Sequence, residues 1–297
     1  MKGALGKEDS PDFLALQVKN QLLPEHQEER AGKIMQNQDN SLRITLFGTS
    51  SGLPSVDRDN TSLGIWDRRD AVLIDSSASP FRKLLQSGID PQRVRGVILT
   101  HRHIDHCYGI PSLIHSLHLF GRRLPLKLWA APEADLLIRA MMRMVQGQRA
   151  RFPFPLHLHL IPARRRHTLI RCKGFHVESC PVDHGPPTVA VRATSSFSGK
   201  RIVYSSDTAP CDSLARFARG ADLLVMEANF LRMPRGRKRQ SHSTARQAGE
   251  MAQRCGVKRL VLVHLRAGDR AEEYCREARK TFQGPVAAGK DLLTLRP

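Results

Sequence analysis

The sequence predicts an α/β protein folded as a single four-layer αββα sandwich. In each half of the chain short apolar strands come first and then alternate with helical segments, the order expected of two packed sheets with helices outside. No internal repeat, Gly/Ser linker or low-complexity tract divides the chain, so residues 42–297 read as one domain. With 40% hydrophobic and 25% charged residues among 297, the composition is that of an ordinary globular protein long enough to bury a substantial core.

Residues 1–41 are polar and carry no strand pattern; a short amphipathic helix is expected over residues 13–23, inside an extension ordered only in part. A first strand over residues 43–47 runs into the turn-rich Gly48-Thr49-Ser50-Ser51-Gly52-Leu53-Pro54-Ser55. Two more short strands, 62–66 and 71–74, follow, the second closed by Asp75. A helix over 81–87 stops at Gly88, and a strand over 94–100 comes next. Ile110, Leu113, Ile114, Leu117 and Leu119 then recur at helical intervals. A strand at 126–129 and a helix at 133–144 precede repeated short strands at 156–160, 168–172, 175–180 and 188–191. After a strand at 200–205, a helix at 212–219 and a strand at 223–226, residues 243–255 set Ala245, Ala248, Met251 and Ala252 on one helical face. A strand at 260–263 and a last helix at 272–282 complete the pattern.

The formal net charge of +19 favours polyanionic partners such as RNA, DNA or acidic membrane surfaces, or else an even spread of arginine over the surface. No apolar run reaches the length of a membrane span and no signal-peptide segment opens the chain, so a cytoplasmic protein without a membrane partner is expected. Cys107, Cys172, Cys180, Cys211, Cys255 and Cys275 are scattered without C-x-x-C spacing, which suggests reduced thiols rather than a disulfide framework.

One stretch carries concentrated chemistry. Thr100-His101-Arg102-His103-Ile104-Asp105-His106 places four potential metal ligands within six residues, directly after Val97-Ile98-Leu99. Imidazole and carboxylate donors suit zinc, and a catalytic zinc needs three protein ligands with a position left open. His184, Asp207 and His264 each follow an apolar strand as well. Any one of them alone would more often be a structural, hydrogen-bonded residue. Together with the first cluster they form a set of strand-end ligands able to converge on one edge of a sandwich.

These residues resemble the metallo-β-lactamase superfamily and, within it, the ribonuclease Z-like branch, over roughly residues 42–265. The H-x-H-x-D-H run at His101 to His106 is diagnostic of the superfamily. Gly48-Thr49 with Gly52-Leu53-Pro54-Ser55 and Arg58-Asp59-Asn60 is similar to the opening motif of ribonuclease Z. Glu227-Ala228-Asn229-Phe230 with His242-Ser243-Thr244-Ala245 looks like the paired E-A-T-F and H-S-T motifs of that branch. The resemblance implies two zinc ions, with manganese or iron as alternatives. It assigns His101, His103 and His184 to one, Asp105, His106 and His264 to the other, and Asp207 to both. It further implies attack by a metal-bridged hydroxide that Asp105 orients or deprotonates, and a leaving oxygen protonated by His242 under the control of Glu227. Ribonuclease Z relatives are commonly dimers, so a homodimer is implied too.

The expected function is therefore a zinc-dependent phosphodiesterase acting on RNA, in the manner of tRNA 3′ processing. Arg235, Arg237, Lys238 and Arg239, just ahead of His242, are the expected phosphate contacts. The run Arg164-Arg165-Arg166 reads instead as a solvated loop. Three departures from the branch stand out: about two dozen residues separate His184 from Asp207, where ribonuclease Z inserts a long arm; Met226 precedes Glu227; and Leu265-Arg266 follows His264. The short span keeps open a small phosphodiester substrate such as a cyclic nucleotide. A catalytically inactive nucleic-acid-binding protein on this fold would show broken ligands, and all seven are present.

Overall fold

The computed structural model describes residues 40–147, 154–162, 165–233 and 241–297. The helix expected over residues 13–23 lies outside them. Fourteen strands are described, seven in each of two sheets.

In the first sheet the order is β14 (Thr294–Leu295), β1 (Arg43–Gly48), β2 (Ser62–Trp66), β3 (Ala71–Ile74), β4 (Val94–Ile98), β5 (Leu126–Ala130) and β6 (Leu156–Leu160). The second runs β13 (Val286–Ala288), β12 (Leu260–Val263), β11 (Leu223–Glu227), β10 (Arg201–Tyr204), β9 (Thr188–Ser195), β8 (Phe175–Val182) and β7 (His167–Arg171). Each sheet is antiparallel on one side and parallel on the other: β3 to β6 pair in parallel, as do β10 to β13. Parallel neighbours need crossover segments, which is where most of the helices sit.

Strand alternation builds three apolar layers. Ile44, Leu46, Val72 and Ile74 of the first sheet meet Ile202, Tyr204, Val225 and Val263 of the second in a shared central layer. The intervening residues point the other way. Leu73 and Val97 pack under α1 (Pro80–Gln86), α3 (Ile110–Leu119) and α4 (Asp135–Gln146), through Leu84, Leu113, Leu117 and Ile138. Val203, Leu224 and Leu262 pack under α5 (Asp212–Phe217), α6 (Ala245–Cys255) and α7 (Ala271–Ala278). Strands covered on both faces have no polar side, so in the sequence they read as unbroken apolar runs. The αββα sandwich expected from element order is the fold observed.

Local signals place the helices that frame the site. Thr244 caps α6 by accepting from Gln247 N at 3.2 Å, the Gln247 side chain accepts from Thr244 N in return, and Gly256 ends the helix in a left-handed conformation. After β4 the chain turns through His101 to His103 into a single helical turn, α2 (Ile104–Cys107), before α3 begins. Gly109 donates to Ser76 O at 2.8 Å, and a Cβ at Gly109 would sit 2.8 Å from that oxygen. Only glycine allows α2 to lie so close to the loop after β3.

The sequence patterns miss two strands. Residues 283–297 have no periodic signal, yet β13 extends the second sheet in parallel and β14 closes the first by pairing Ile44 with Leu295. Strands of two and three residues are too short to express a period of two. All six cysteines are free thiols. No helix among the described residues is long and apolar enough to cross a membrane.

Candidate metal centre

The site is assembled at one edge of the sandwich from the ends of strands in both sheets. Asp75 follows β3, His101 lies just beyond β4, His184 beyond β8, Asp207 beyond β10 and His264 directly after β12, while Glu227 is the last residue of β11. Asp75, Ser206 and His264 all have positive φ, at 59°, 55° and 58°. Non-glycine residues adopt that region at a cost of about 1–3 kcal/mol each, and the surrounding core compels it here to turn each chain end inward.

Two sets of ligand atoms converge. In the first, His101 Nε2 lies 2.9 Å from His103 Nδ1 and 3.8 Å from Asp207 Oδ2, and His103 Nδ1 lies 3.4 Å from His184 Nε2. In the second, His106 Nε2 lies 3.4 Å from Asp105 Oδ2 and 3.5 Å from Asp207 Oδ2. His264 Nε2 lies 3.9 Å from Asp105 Oδ2 and 3.3 Å from Asp207 Oδ2. A tetrahedron of ~2.1 Å metal–ligand bonds has edges of about 3.4 Å, so both sets have the spacing of a metal cage. Asp207 Oδ2 lies within 3.3–3.8 Å of a histidine nitrogen in each set.

The chemistry of the donors agrees. His106 Nε2, both nitrogens of His264 and Asp207 Oδ1 are buried and make no hydrogen bond. Leaving a buried polar atom unmatched costs about 1–3 kcal/mol, and a cation held among these atoms removes that cost for those facing it. These residues fit one or more divalent ions.

Hydrogen bonds behind the ligands select which nitrogen points inward. His184 Nδ1 donates to Ser241 O at 2.7 Å, leaving Nε2 for the first set. His106 Nδ1 donates to Asp75 Oδ2 at 2.8 Å. Asp75 is itself held by Thr100 N at 2.8 Å and Thr100 Oγ1 at 3.0 Å, so the shared proton belongs on His106. Burial pushes His101 well below its ordinary pKa, lowers His103 and takes His184 down to about 4. Burial would lower His106 too, but the carboxylates of Asp207 and Asp75 outweigh it and hold that imidazole well above its usual value. Asp207 runs the other way: desolvation would raise it, yet the His264 and His106 charges keep it well below the ordinary carboxylate range. Asp105 is lowered on the same balance, by His106 and His264 against burial.

Beside this centre sits the pair expected from Glu227 and His242. Glu227 is fully buried; it accepts from Thr208 N at 2.8 Å, Asn229 N at 2.9 Å and His242 Nδ1 at 2.9 Å. The His242 ring stacks on His264, with centroids 5.5 Å apart and planes at 15°. A third grouping of potential ligand atoms joins His242 to Asp207 and His264. Every metal-ligand candidate from the sequence, and Asp105, Glu227 and His242 with them, thus lies in one cluster. Arg235, Arg237, Lys238 and Arg239 lie outside the described residues. Sequence reasoning missed Asp75, Thr100 and the Ser241 carbonyl. Asp75 did carry the signal shared by the others, a carboxylate ending an apolar strand.

Comparison with known proteins identifies the family. The Beta-lactamase superfamily domain profile matches residues 70–265. A ribonuclease Z from a Bradyrhizobium species is 30% identical, with 85% of this chain and 99% of the relative covered. The chain belongs to the ribonuclease Z-like branch of the metallo-β-lactamase superfamily. It is a metal-dependent hydrolase. A ribonuclease Z from Methanothermobacter thermautotrophicus is 28% identical, with 86% of this chain and 96% of the relative covered. That alignment runs over 301 positions, more than 86% of a 297-residue chain can fill, so the relative carries dozens of residues with no counterpart here. In fold, the chain is similar to the metallo-β-lactamase fold protein YhfI of Bacillus subtilis, with a TM-score of 0.72, 21% identity, and coverage of 87% of this chain and all of the other.

Proposed function

We propose that this protein is an endoribonuclease that hydrolyses RNA phosphodiester bonds with two divalent cations, zinc being the ions best matched to its donors. The observation that carries the reading is the Glu227–His242 pair stacked against a doubly shared ligand set. A hydrolase of thioesters or lactams has no use for a second, separately buried carboxylate–histidine pair. When bound, a pair of divalent ions supplies Lewis acidity, lowers the pKa of a shared water and offsets charge developing on the phosphoryl oxygens.

The side chains divide the remaining work. Asp207 Oδ2, within 3.3–3.8 Å of His101, His106 and His264 nitrogens, ties the two ligand sets together. Asp105, half-buried and held as a carboxylate, orients the attacking water or takes its proton. His242 donates a proton to the leaving 3′-oxygen, and the Glu227 hydrogen bond at 2.9 Å fixes its ring for that task. The basic run Arg235, Arg237, Lys238 and Arg239 gives phosphate contacts that position RNA without reading its sequence.

A second reading, hydrolysis of a small phosphodiester such as a cyclic nucleotide, is favoured by one observation. Between β9 and β10 the chain turns within residues 196–200, and no arm leaves the body there. The two readings separate on turnover of a tRNA-like RNA with a 3′ trailer against a generic aryl phosphodiester, in protein of known zinc content. Faster specificity-constant turnover of the RNA supports the endoribonuclease; turnover of the aryl diester alone overturns it.

A further inference from the structure

The run around Arg165, read from the sequence as a solvated loop, forms part of a groove next to the metal centre. The groove has a volume of about 460 Å³ and lies between the end of β8 and the start of α5. Half-buried Cys180, Pro181 and Val182 make its wall, and exposed Arg165, Arg166 and Arg216 stand around it. It is joined to the metal centre through neighbouring residues. Asp183, at one end, precedes the ligand His184 in the chain, and Thr208, which follows the ligand Asp207, touches the groove residue Cys211 at 3.8 Å.

The charge balance of this groove is positive because its acids are already engaged. Glu178 accepts Arg166 at 2.5 Å and Arg192 at 2.7 Å, two guanidiniums on one carboxylate. Asp212 is taken by Arg254 at 2.5 Å. Among the described residues Asp183 is the one carboxylate lining the groove, and it too is engaged. Arg165 and Arg216 lie within ion-pair distance of no carboxylate among the described residues, whereas Arg166 is fixed by Glu178 and further oriented over the Phe217 ring at 5.8 Å. Two exposed guanidiniums beside one anchored one, on an open groove near the proposed phosphodiester-cleaving centre, match the backbone of a nucleic-acid strand better than a single enclosed anion.

We propose that this groove is a phosphate-backbone subsite, binding the RNA strand that flanks the scissile phosphate through Arg165 and Arg216. The proposal rests on the endoribonuclease reading above and adds to it where the strand runs: past His184 and along the end of β8. Such contacts position a strand without selecting its sequence, so they act on substrate affinity and leave the chemical step alone. The groove also serves a chain that lacks dozens of its relative's residues, since it supplies strand contacts from the body of the fold.

The test is the Arg165→Ala/Arg216→Ala double variant, with Arg139→Ala as a control that removes an exposed arginine from α4. For a tRNA-like RNA the double variant is expected to raise KM by about tenfold and to lower the slope of log affinity against log salt by about 2, one for each lost phosphate contact. Its kcat and its turnover of bis(p-nitrophenyl) phosphate stay at the wild-type level, which also shows that the fold is intact. An unchanged KM and salt slope overturns the subsite, as does an equal loss in Arg139→Ala, which would mark a net-charge effect. A wild-type protein that cleaves no RNA while turning over the aryl diester overturns the endoribonuclease reading instead, so the two failures are distinguishable.

Discussion

The two ligand sets differ in how their histidines are held. In the His101–His103–His184 set the partner behind His184 is a neutral carbonyl, Ser241 O, and burial drives the imidazoles towards the unprotonated form. In the Asp105–His106–His264 set a buried carboxylate, Asp75, stands behind His106 and raises its basicity. A carboxylate behind a histidine strengthens it as a ligand and also strengthens its hold on a proton. The first set is therefore expected to stay open to metal over a wider pH range, and the second to be lost to acid more easily through the basic His106. Asp207 couples them, because one oxygen belongs to both.

The largest expected effect comes from removing what the sets share. Asp207→Ala should reduce hydrolysis to background and lower bound metal from both sets, measured by elemental analysis beside activity. A variant that kept its full complement of metal would break the picture of a shared carboxylate. Next, His242→Ala should lower kcat by about 10²–10⁴-fold, the range for a lost general acid, with metal content unchanged. If metal content falls instead, His242 belongs with Asp207 and His264 as a ligand and the protonation role passes elsewhere.

Asp75→Asn sharpens the contrast because it touches only one set. It should weaken one of two metals by about 10–100-fold and leave the other in place, so that a competitive chelator titration splits into two phases. A single unsplit phase would mean that the sets do not differ as described. The smallest effect is that of pH. Protons compete with metal for imidazole. His106, raised well above its usual value, gains its proton first as pH falls, whereas His184 at about 4 and His101 well below normal stay neutral. On acidification from about pH 8 towards about pH 5, metal should leave the Asp105–His106–His264 set first, as followed by stepwise dialysis and metal analysis. Release in the opposite order would sink the comparison.

Much of the fold was legible because its core strands are covered on both faces. Val97-Ile98-Leu99 and Leu260 to Val263 read as strands from short apolar runs alone, and α6 was read from Ala245, Ala248, Met251 and Ala252 recurring on one helical face. The candidate ligands were legible because each ends such a strand or sits in one compact run, so local position already carries them to the sheet edge. β13 and β14 were not legible, since their two or three residues are strands only by virtue of the neighbours they pair with.

The sequence by itself determined the layer order from short-range pattern, and pattern together with the family resemblance picked out the candidate metal ligands and the Glu227–His242 pair. Only the tertiary structure decided which nitrogen of each histidine faces inward, that Asp207 Oδ2 serves both sets, and that Asp75 stands behind His106. It also turned Arg165 and Arg216 from loop and helix charges into the two sides of one groove. The physical reason is range: the Asp75–His106 and Ser241–His184 hydrogen bonds join residues 31 and 57 positions apart. No local propensity acts over such a distance, and the packing of two sheets against a shared core does.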